Sequence, residues 1–302
     1  MRTSRADVAD LIYFLTIARH KSFSRAAIEL EVTTSTLSHA LKALEGRLGV
    51  RLLNRTTKSV TLTGAGEALA ASVTTSFDAI DVALETLNRF RDAPAGRIRL
   101  NVAVEASTLL LAPVIPEFVD RYPDVELDIV ASNRMVNVTE GGFDAGIRYG
   151  GTVPEDMIAQ RLSANIRWVV AGSPAYLDRY GTPTHPNDLL DHRCVGSRLG
   201  DDRVYRWEFE RDGEEIALSV PSSVTVDQAE TGLIAVLGGV GLMYFPEPLI
   251  SQHVEEGRLR VVLSDWAPLE PGFHIYYSSR RQMPTGLRLL IDLIREMQPL
   301  GL

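Results

Sequence analysis

Thr34, Ser35, Ser38, His39 and Lys42 fall at i, i+1, i+4, i+5 and i+8, and no carboxylate stands among them. On a helix those spacings share one face. Hydroxyl, imidazole and ammonium groups arranged this way can meet base edges and phosphates in a major groove. A merely solvated face would mix in Glu or Asp, whereas the nearest carboxylates stand off it, Glu31 before the helix and Glu45 beyond its reading end. Phosphate recognition also asks for a second basic contact, and Arg51, Arg55 and Lys58 follow a few residues downstream. Ser24 and Arg25, with Thr33 and Thr36 at the front of the reading helix, complete the candidate DNA-contacting set.

The elements that must hold these groups follow from apolar spacing. Val8, Leu11, Ile12, Leu15 and Ala18 recur at intervals of three and four, which predicts an amphipathic helix over 7–20 with one buried stripe. Ser22-Phe23-Ser24 is a hydroxyl-rich start, where Ser24 can accept from the orphan amides of a short helix over 25–30. Residues 31–33 form the turn, and the reading helix, 34–47, buries Leu37, Leu41, Leu44 and Leu48. Two short extended runs around Thr56-Thr57 predict a β-wing tipped by Arg55 and Lys58. Thr63 then caps the next helix.

Charge divides the chain in the same place. Residues 1–63 hold ten Lys or Arg against five Asp or Glu, a net +5, while the whole chain is −8 and the remainder therefore −13. A nucleic-acid surface belongs to the basic head, because the acidic bulk repels the phosphate backbone. With 302 residues and 45% apolar composition the chain can fill two or three cores. The N-terminus leads into an amphipathic helix and not an apolar signal core, and no run reaches membrane-spanning length, so a cytoplasmic protein with no membrane partner is expected. Cys194 is the only cysteine, which excludes an intramolecular disulfide and a Cys-based zinc site within one chain and favours a buried thiol.

Ser22-Phe23-Ser24-Arg25-Ala26-Ala27, Leu41-Lys42-Ala43-Leu44-Glu45, Leu48-Gly49-Val50-Arg51-Leu52, Asn54-Arg55-Thr56 and Leu62-Thr63-Gly64-Ala65-Gly66 together resemble the winged helix-turn-helix of the LysR-type transcriptional regulators. The family often carries Gln at the position of Thr34 and Arg or Gln at that of His39, so base preference is not transferred, and His39 would make DNA affinity pH-dependent. Leu69, Val73, Phe77, Ile80, Leu84 and Leu87 then repeat at 4, 4, 3, 4 and 3, which predicts a helix of about 25 residues with a narrow apolar seam. Either a partner helix or the chain's own next domain can bury such a seam; the resemblance favours a dimerising linker. The resemblance further implies a homodimer assembling into a homotetramer on double-stranded promoter DNA, a small-molecule effector as co-inducer or co-repressor, no cofactor, and RNA polymerase as a further candidate partner. Pro94 and Gly96 break the helix and mark a hinge.

From Gly96 onward strands and helices alternate, which argues for parallel sheets covered by helices. Strands are expected at 97–104, 125–130, 143–148, 166–171, 224–226, 240–244 and 272–277, with helices at 109–122 and 286–297. The expected fold is an all-α-rich winged helix-turn-helix over 1–63, a linker helix over 64–92 and a two-lobed α/β domain over 93–302, with lobe I near 96–165 and 270–302 and lobe II near 166–269. The two-lobed part resembles the effector domain of LysR-type regulators, which is similar to periplasmic binding proteins of type 2. A ligand would sit between the lobes at the strand ends. The candidates there are Ser107 and Thr108, which can cap a helix or bind ligand, and Ser132, Asn133, Ser197, Asp227 and Gln228. Arg148 is the most telling, since a guanidinium at a strand end can hold an anion bidentately or pair with Glu105 or Asp144; Glu105 itself argues against an anion. Tyr205-Arg206-Trp207-Glu208-Phe209 can line the crevice or pack on lobe II, and packing is favoured.

No enzyme constellation is present. Gly-x-Ser-x-Gly, a phosphate loop and His-Glu-x-x-His are all absent, and His185 and His192, seven apart around Pro186, suit structural roles better than a metal. An effector-independent repressor with the same head is the alternative; a solute-binding protein fits less well, because it would lack residues 1–90 and carry a signal peptide.

Overall fold

Phe14 and Ile17, three residues apart, are the deepest side chains of the first helix, α1 (Arg5–His20). The computed structural model describes residues 5–55, 59–85, 87, 93–139, 141–154, 157–278 and 283–302, and the chain divides into two compact units, Met1–Arg89 and Phe90–Leu302. In the first unit α1 is followed by α2 (Phe23–Glu29), α3 (Thr34–Leu48), the antiparallel pair β1 (Leu53–Arg55) and β2 (Val60–Leu62), and α4 (Gly64–Glu85). Phe14, Ile17, Ala26, Leu37, Leu41, Leu44, Leu52 and Leu53 form the core of this head.

The buried face of α1 is turned away from the expected stripe. Leu11 and Leu15 pack at its margin, while Val8 and Ile12 are exposed. Thr16 sits inside because its hydroxyl donates to Ile12 O at 2.9 Å, which satisfies a polar group on the buried side. The cap of α2 also differs from the expectation. Ser22 has the extended backbone that a cap needs and accepts from Arg25 N at 3.3 Å, so the helix starts at Phe23 and Ser24 lies within its first turn. Thr33 caps α3, and Gly49 ends it in the left-handed conformation (φ 72°) that favours glycine.

The linker helix α4 spans 22 residues. Leu69 and Ala70 pack on the head core, whereas Ile80, Leu84 and Leu87 are 52%, 58% and 48% exposed.

The second unit runs through β3 (Gly96–Val102), α5 (Val104–Ala106, continuing into a π-helical turn over Ser107–Leu111), α6 (Ile115–Arg121), β4 (Val125–Ala131), β5 (Ala145–Tyr149), β6 (Ile158–Arg161), β7 (Ile166–Gly172), α7 (Pro174–Tyr180), β8 (Cys194–Ser197), β9 (Trp207–Arg211), β10 (Glu214–Leu218), β11 (Ser222–Val226), α8 (Ala229–Leu237), β12 (Met243–Pro246), α9 (Glu247–Glu255), β13 (Arg260–Val262), β14 (Leu269–Glu270), β15 (Phe273–Tyr277) and α10 (Thr285–Met297). One lobe is a five-stranded sheet ordered β4-β3-β5-β15-β6. Its core joins Ile98, Leu100 and Val102 to Leu110 and Phe118 on one helical layer and Leu287, Leu290 and Ile294 on α10. In the other lobe β7 pairs with β12, β13 and β14, and β8 pairs with β11.

The sheets are mixed where parallel ones were expected. β3 runs parallel to β4 and β5, but β15 is antiparallel to both β5 and β6, and β12, β13 and β14 are all antiparallel to β7. For β14 and β15 the cause is the double crossing between lobes, which returns the chain to the first sheet in the opposite sense. The two crossing segments touch at Ser163, whose Oγ accepts from Phe273 N at 2.8 Å and donates to Ala164 O at 2.9 Å. A Cβ on Gly272 would lie 1.9 Å from Ala164 O, so the crossing admits only glycine there.

Candidate nucleic-acid interface and ligand crevice

With Leu37, Leu41 and Leu44 buried, α3 exposes Thr34, Ser35, Thr36, His39 and Lys42 along one side. Thr33 and Thr36 are partly occupied with each other: Thr33 Oγ1 accepts from Thr36 N at 3.1 Å, and the two hydroxyls lie 2.9 Å apart. Ser24 and Arg25 are exposed on α2, and Arg51 is exposed just before β1. Lys58 and the expected wing tip lie outside the described residues.

Arg55 is not a free tip. It stands on β1 with Nη1 3.4 Å from Ser38 Oγ, Nη2 3.3 Å from Glu45 Oε2, and its guanidinium 5.1 Å from the Phe23 ring centre. The strand is short and runs back beside α3, so its last side chain folds over the reading helix. Glu45, absent from the sequence-derived set, is the residue that ties the two together: its Oε1 accepts from Leu52 N at 2.8 Å and Leu53 N at 3.2 Å. The seven-residue reach from a carboxylate to the amides opening a strand was the available signal. Thr63 does cap α4, accepting from Gly66 N at 3.0 Å while donating to Arg51 O at 2.7 Å. Gly66 is required because a Cβ there would come within 2.1 Å of Leu52 O.

In the second unit a cavity of about 620 Å3 opens between the lobes. Asn133, Arg148, Ser197, Asp227 and Gln228 line it as expected. Asn133 spans it: Oδ1 accepts from Val104 N at 3.1 Å in one lobe and Nδ2 donates to Asp227 O at 3.0 Å in the other.

Ser107 and Thr108 neither line this cavity nor cap a helix. The helix begins at Val104, earlier than expected, so Asn133 takes the capping role and both hydroxyls fall inside the helical turns. Thr108 Oγ1 instead reaches Val104 O at 3.4 Å and Glu230 Oε1 at 3.3 Å in the opposite lobe. Ser132 lines an adjoining cavity of about 190 Å3, and its Oγ accepts from Arg134 N.

Arg148 is 3% exposed and forms neither of the expected ion pairs. Nη1 donates to Asn101 O (3.1 Å) and Ile147 O (2.8 Å), and Nη2 to Asn101 Oδ1, Ser132 O (3.0 Å) and Arg134 O (3.2 Å). Both terminal nitrogens are thus occupied, Nε is buried without a partner among the described residues, and no bidentate fork is left for an anion. Burial lowers the Arg148 pKa, against a smaller upward pull from Tyr276 and Glu105. Burial likewise holds Glu105 above the usual carboxylate range, reinforced by Glu230 and opposed by Arg148.

An aromatic run along the wall was missed, apart from the 205–209 segment. Trp168 stacks on Tyr244 with centroids 5.3 Å apart and touches Tyr149 at 5.4 Å, and Tyr205 lies 6.1 Å from Tyr244. β9 divides its residues by alternation: Trp207 and Phe209 enter the lobe core, while Glu208 lines the cavity; Tyr205, just before the strand, packs on that core at its margin and also lines the cavity.

The remaining candidates for chemistry are structural. His185 caps the 3-10 turn Pro186–Asp191, and His192 Nδ1 lies 3.1 Å from Tyr176 Oη. Cys194 is buried and its thiol is pushed up to about 12 by desolvation, which keeps it protonated. No cluster that could hold a metal ion occurs among the described residues.

Comparison with known proteins agrees with both units. Residues 8–67 match the family model of the bacterial regulatory helix-turn-helix protein, lysR family, and residues 91–299 match the LysR substrate binding domain. The chain is 37% identical to the uncharacterized HTH-type transcriptional regulator YcaN of Escherichia coli over 97% of its length and 96% of the relative's. It is 33% identical to the HTH-type transcriptional regulator PgrR of the same organism, over 96% and 98% of the two chains. The solved structure of CrgA, a LysR-type transcriptional regulator from Neisseria meningitidis, superposes with a TM-score of 0.60 at 27% identity, covering 98% of this chain and 99% of that one. A helix-turn-helix head, a ligand-sized crevice between two α/β lobes and these likenesses together place the chain in the LysR family of DNA-binding transcriptional regulators.

Proposed function

We propose that the front of α3, with Ser35, His39 and Lys42 foremost, reads base edges, that Arg25, Arg51 and Arg55 meet phosphates, and that a small molecule held between the lobes sets the geometry of the reading heads. The observation that carries this is Asn133, which bonds both walls of the crevice and so makes lobe closure sensitive to whatever occupies it. The exposed Ile80, Leu84 and Leu87 supply a seam for a second copy of α4, giving a dimer whose heads contact half-sites about one helical turn or a multiple apart. Pairing of dimers gives the tetramer, and ligand-driven closure alters head spacing and DNA bend. RNA polymerase at the promoter is a further partner in this scheme. Among the described residues no helix is long and apolar enough to cross a membrane, and action on promoter DNA fits a cytoplasmic site.

The test is binding to the DNA upstream of the protein's own gene and to a scrambled control, at about 0.15 M salt where distant charges are screened. Preference for the native DNA is expected. Arg55→Ala should weaken all sequences alike and lower the salt slope by about one, while Ser35→Ala or His39→Ala should change the preferred site. Equal effects of all three on native and scrambled DNA would remove the assignment of α3.

A further inference from the structure

The charge of the crevice is set by groups that come together only in the fold. Its lining carries five carboxylates against three guanidiniums, and the guanidiniums direct their donors onto the chain itself. Arg148 is held by backbone carbonyls and Asn101, Arg203 pairs with Asp201 at 2.6 Å, and Arg198 donates to Asp202 O at 2.7 Å. Of the carboxylates, Glu105, Glu208, Asp227 and Glu270 line the cavity without a basic partner within 4 Å among the described residues. Glu208 accepts from Tyr205 Oη at 2.7 Å, which holds the ring and the carboxylate together.

The aromatic wall adds to this field. Tyr149, Trp168, Tyr244 and Tyr205 form a continuous run of ring contacts beside these carboxylates, and π faces attract cations most strongly where water is excluded. Tyr149 Oη is buried with no hydrogen-bond partner among the described residues, so it has lone pairs to offer an N–H donor. The phenols of Tyr149, Tyr205 and Tyr244 are all raised, first by burial, with nearby carboxylates adding to the rise, so the rings stay neutral.

We propose that the crevice selects an organic cation, a small molecule whose ammonium group lies against the Trp168–Tyr244 stack and between Glu208 and Glu270. This rests on the proposal that the crevice is the effector site, and it reverses the anionic ligand suggested by Arg148 in the sequence.

The experiment titrates the full-length protein with four probes of similar size at constant ionic strength, to about 20 mM, the range expected of fragments with some ten heavy atoms. Benzyltrimethylammonium and phenethylammonium are cations, benzyl alcohol is neutral and phenylacetate is an anion. Calorimetry should give both cations at least tenfold tighter binding than phenylacetate. Glu208→Gln/Glu270→Gln should weaken the cations at least tenfold and leave benzyl alcohol unchanged; Glu270→Gln alone serves if the double variant does not fold, as judged by circular dichroism. Equal or tighter binding of benzyl alcohol or phenylacetate would overturn the cation and keep the crevice as a ligand site. Cation binding indifferent to these variants would overturn the placement. Binding by none of the four would overturn the inference and the crevice reading together.

Discussion

Arg55 in the head and Arg148 between the lobes are the same side chain in opposite circumstances. Arg55 lies at the surface on contacts of 3.3–3.4 Å, loose enough for a phosphate to replace. Arg148 is buried with its terminal nitrogens on carbonyl oxygens that have no other solvent to turn to. The contrast extends to the surrounding groups. Ser35, His39 and Lys42 are exposed on α3, without a side-chain hydrogen bond among the described residues, while Asn133 and Thr108 already bond across the crevice. A polar residue near a site therefore recognises a partner only if the fold leaves its donors free, and burial decides that more than residue type.

The largest effect expected from this contrast is at Arg148. Arg148→Met strands several buried carbonyls and should destabilise the second unit by about 3 kcal/mol or more, read as a lower Tm and denaturant midpoint. An unchanged melt with lost ligand binding would instead make Arg148 a recognition group and erase the contrast. Glu45→Ala removes the acceptor of two backbone amides and should cost about 2 kcal/mol of head stability, with weaker binding to native and random DNA alike. Thr33→Ala deletes the α3 cap and should cost about 1 kcal/mol by thermal melting.

Glu105→Gln gives the smallest change and has the opposite sign. Because the folded-state pKa of Glu105 is raised, chiefly by burial, the ionised carboxylate disfavours the fold at neutral pH, and that penalty fades as pH falls and the group takes up its proton. The variant should melt higher than the parent at about pH 7.5 and together with it near pH 4, where an ordinary Glu is itself largely protonated. A lower melt at neutral pH would show that the carboxylate stabilises the crevice.

The head was legible because its determinants are local. Leu37, Leu41 and Leu44 fix the buried side of α3, and the residues left over are the exposed polar face. What the sequence missed there, the turned face of α1 and the cap at Ser22, depended on one hydroxyl satisfied within its own helix and on which serine adopts an extended backbone. The crevice was only half legible. Strand ends pointed to Asn133, Asp227 and Arg148, but the state of Arg148 depends on Asn101, 47 residues away, and the bond between Asn133 and Asp227 joins residues 94 apart. Trp168, Tyr244 and Glu270 carry no local pattern at all; they become neighbours only because β12 and β14 both pair with β7.

The two crossing segments at Ser163 and Gly272 determine what kind of signal a ligand can send. Paired chains pinned side by side at one point resist sliding and leave rotation as the easy motion, as a door turns on its pins. Under the proposed scheme a ligand a few ångströms across, wedged near that axis, would be read out as an angle, and the displacement would grow with distance from the pins. Binding strength and signal size would then be separable quantities, the first belonging to the crevice walls and the second to the crossing, where Phe273 N donates to Ser163 Oγ.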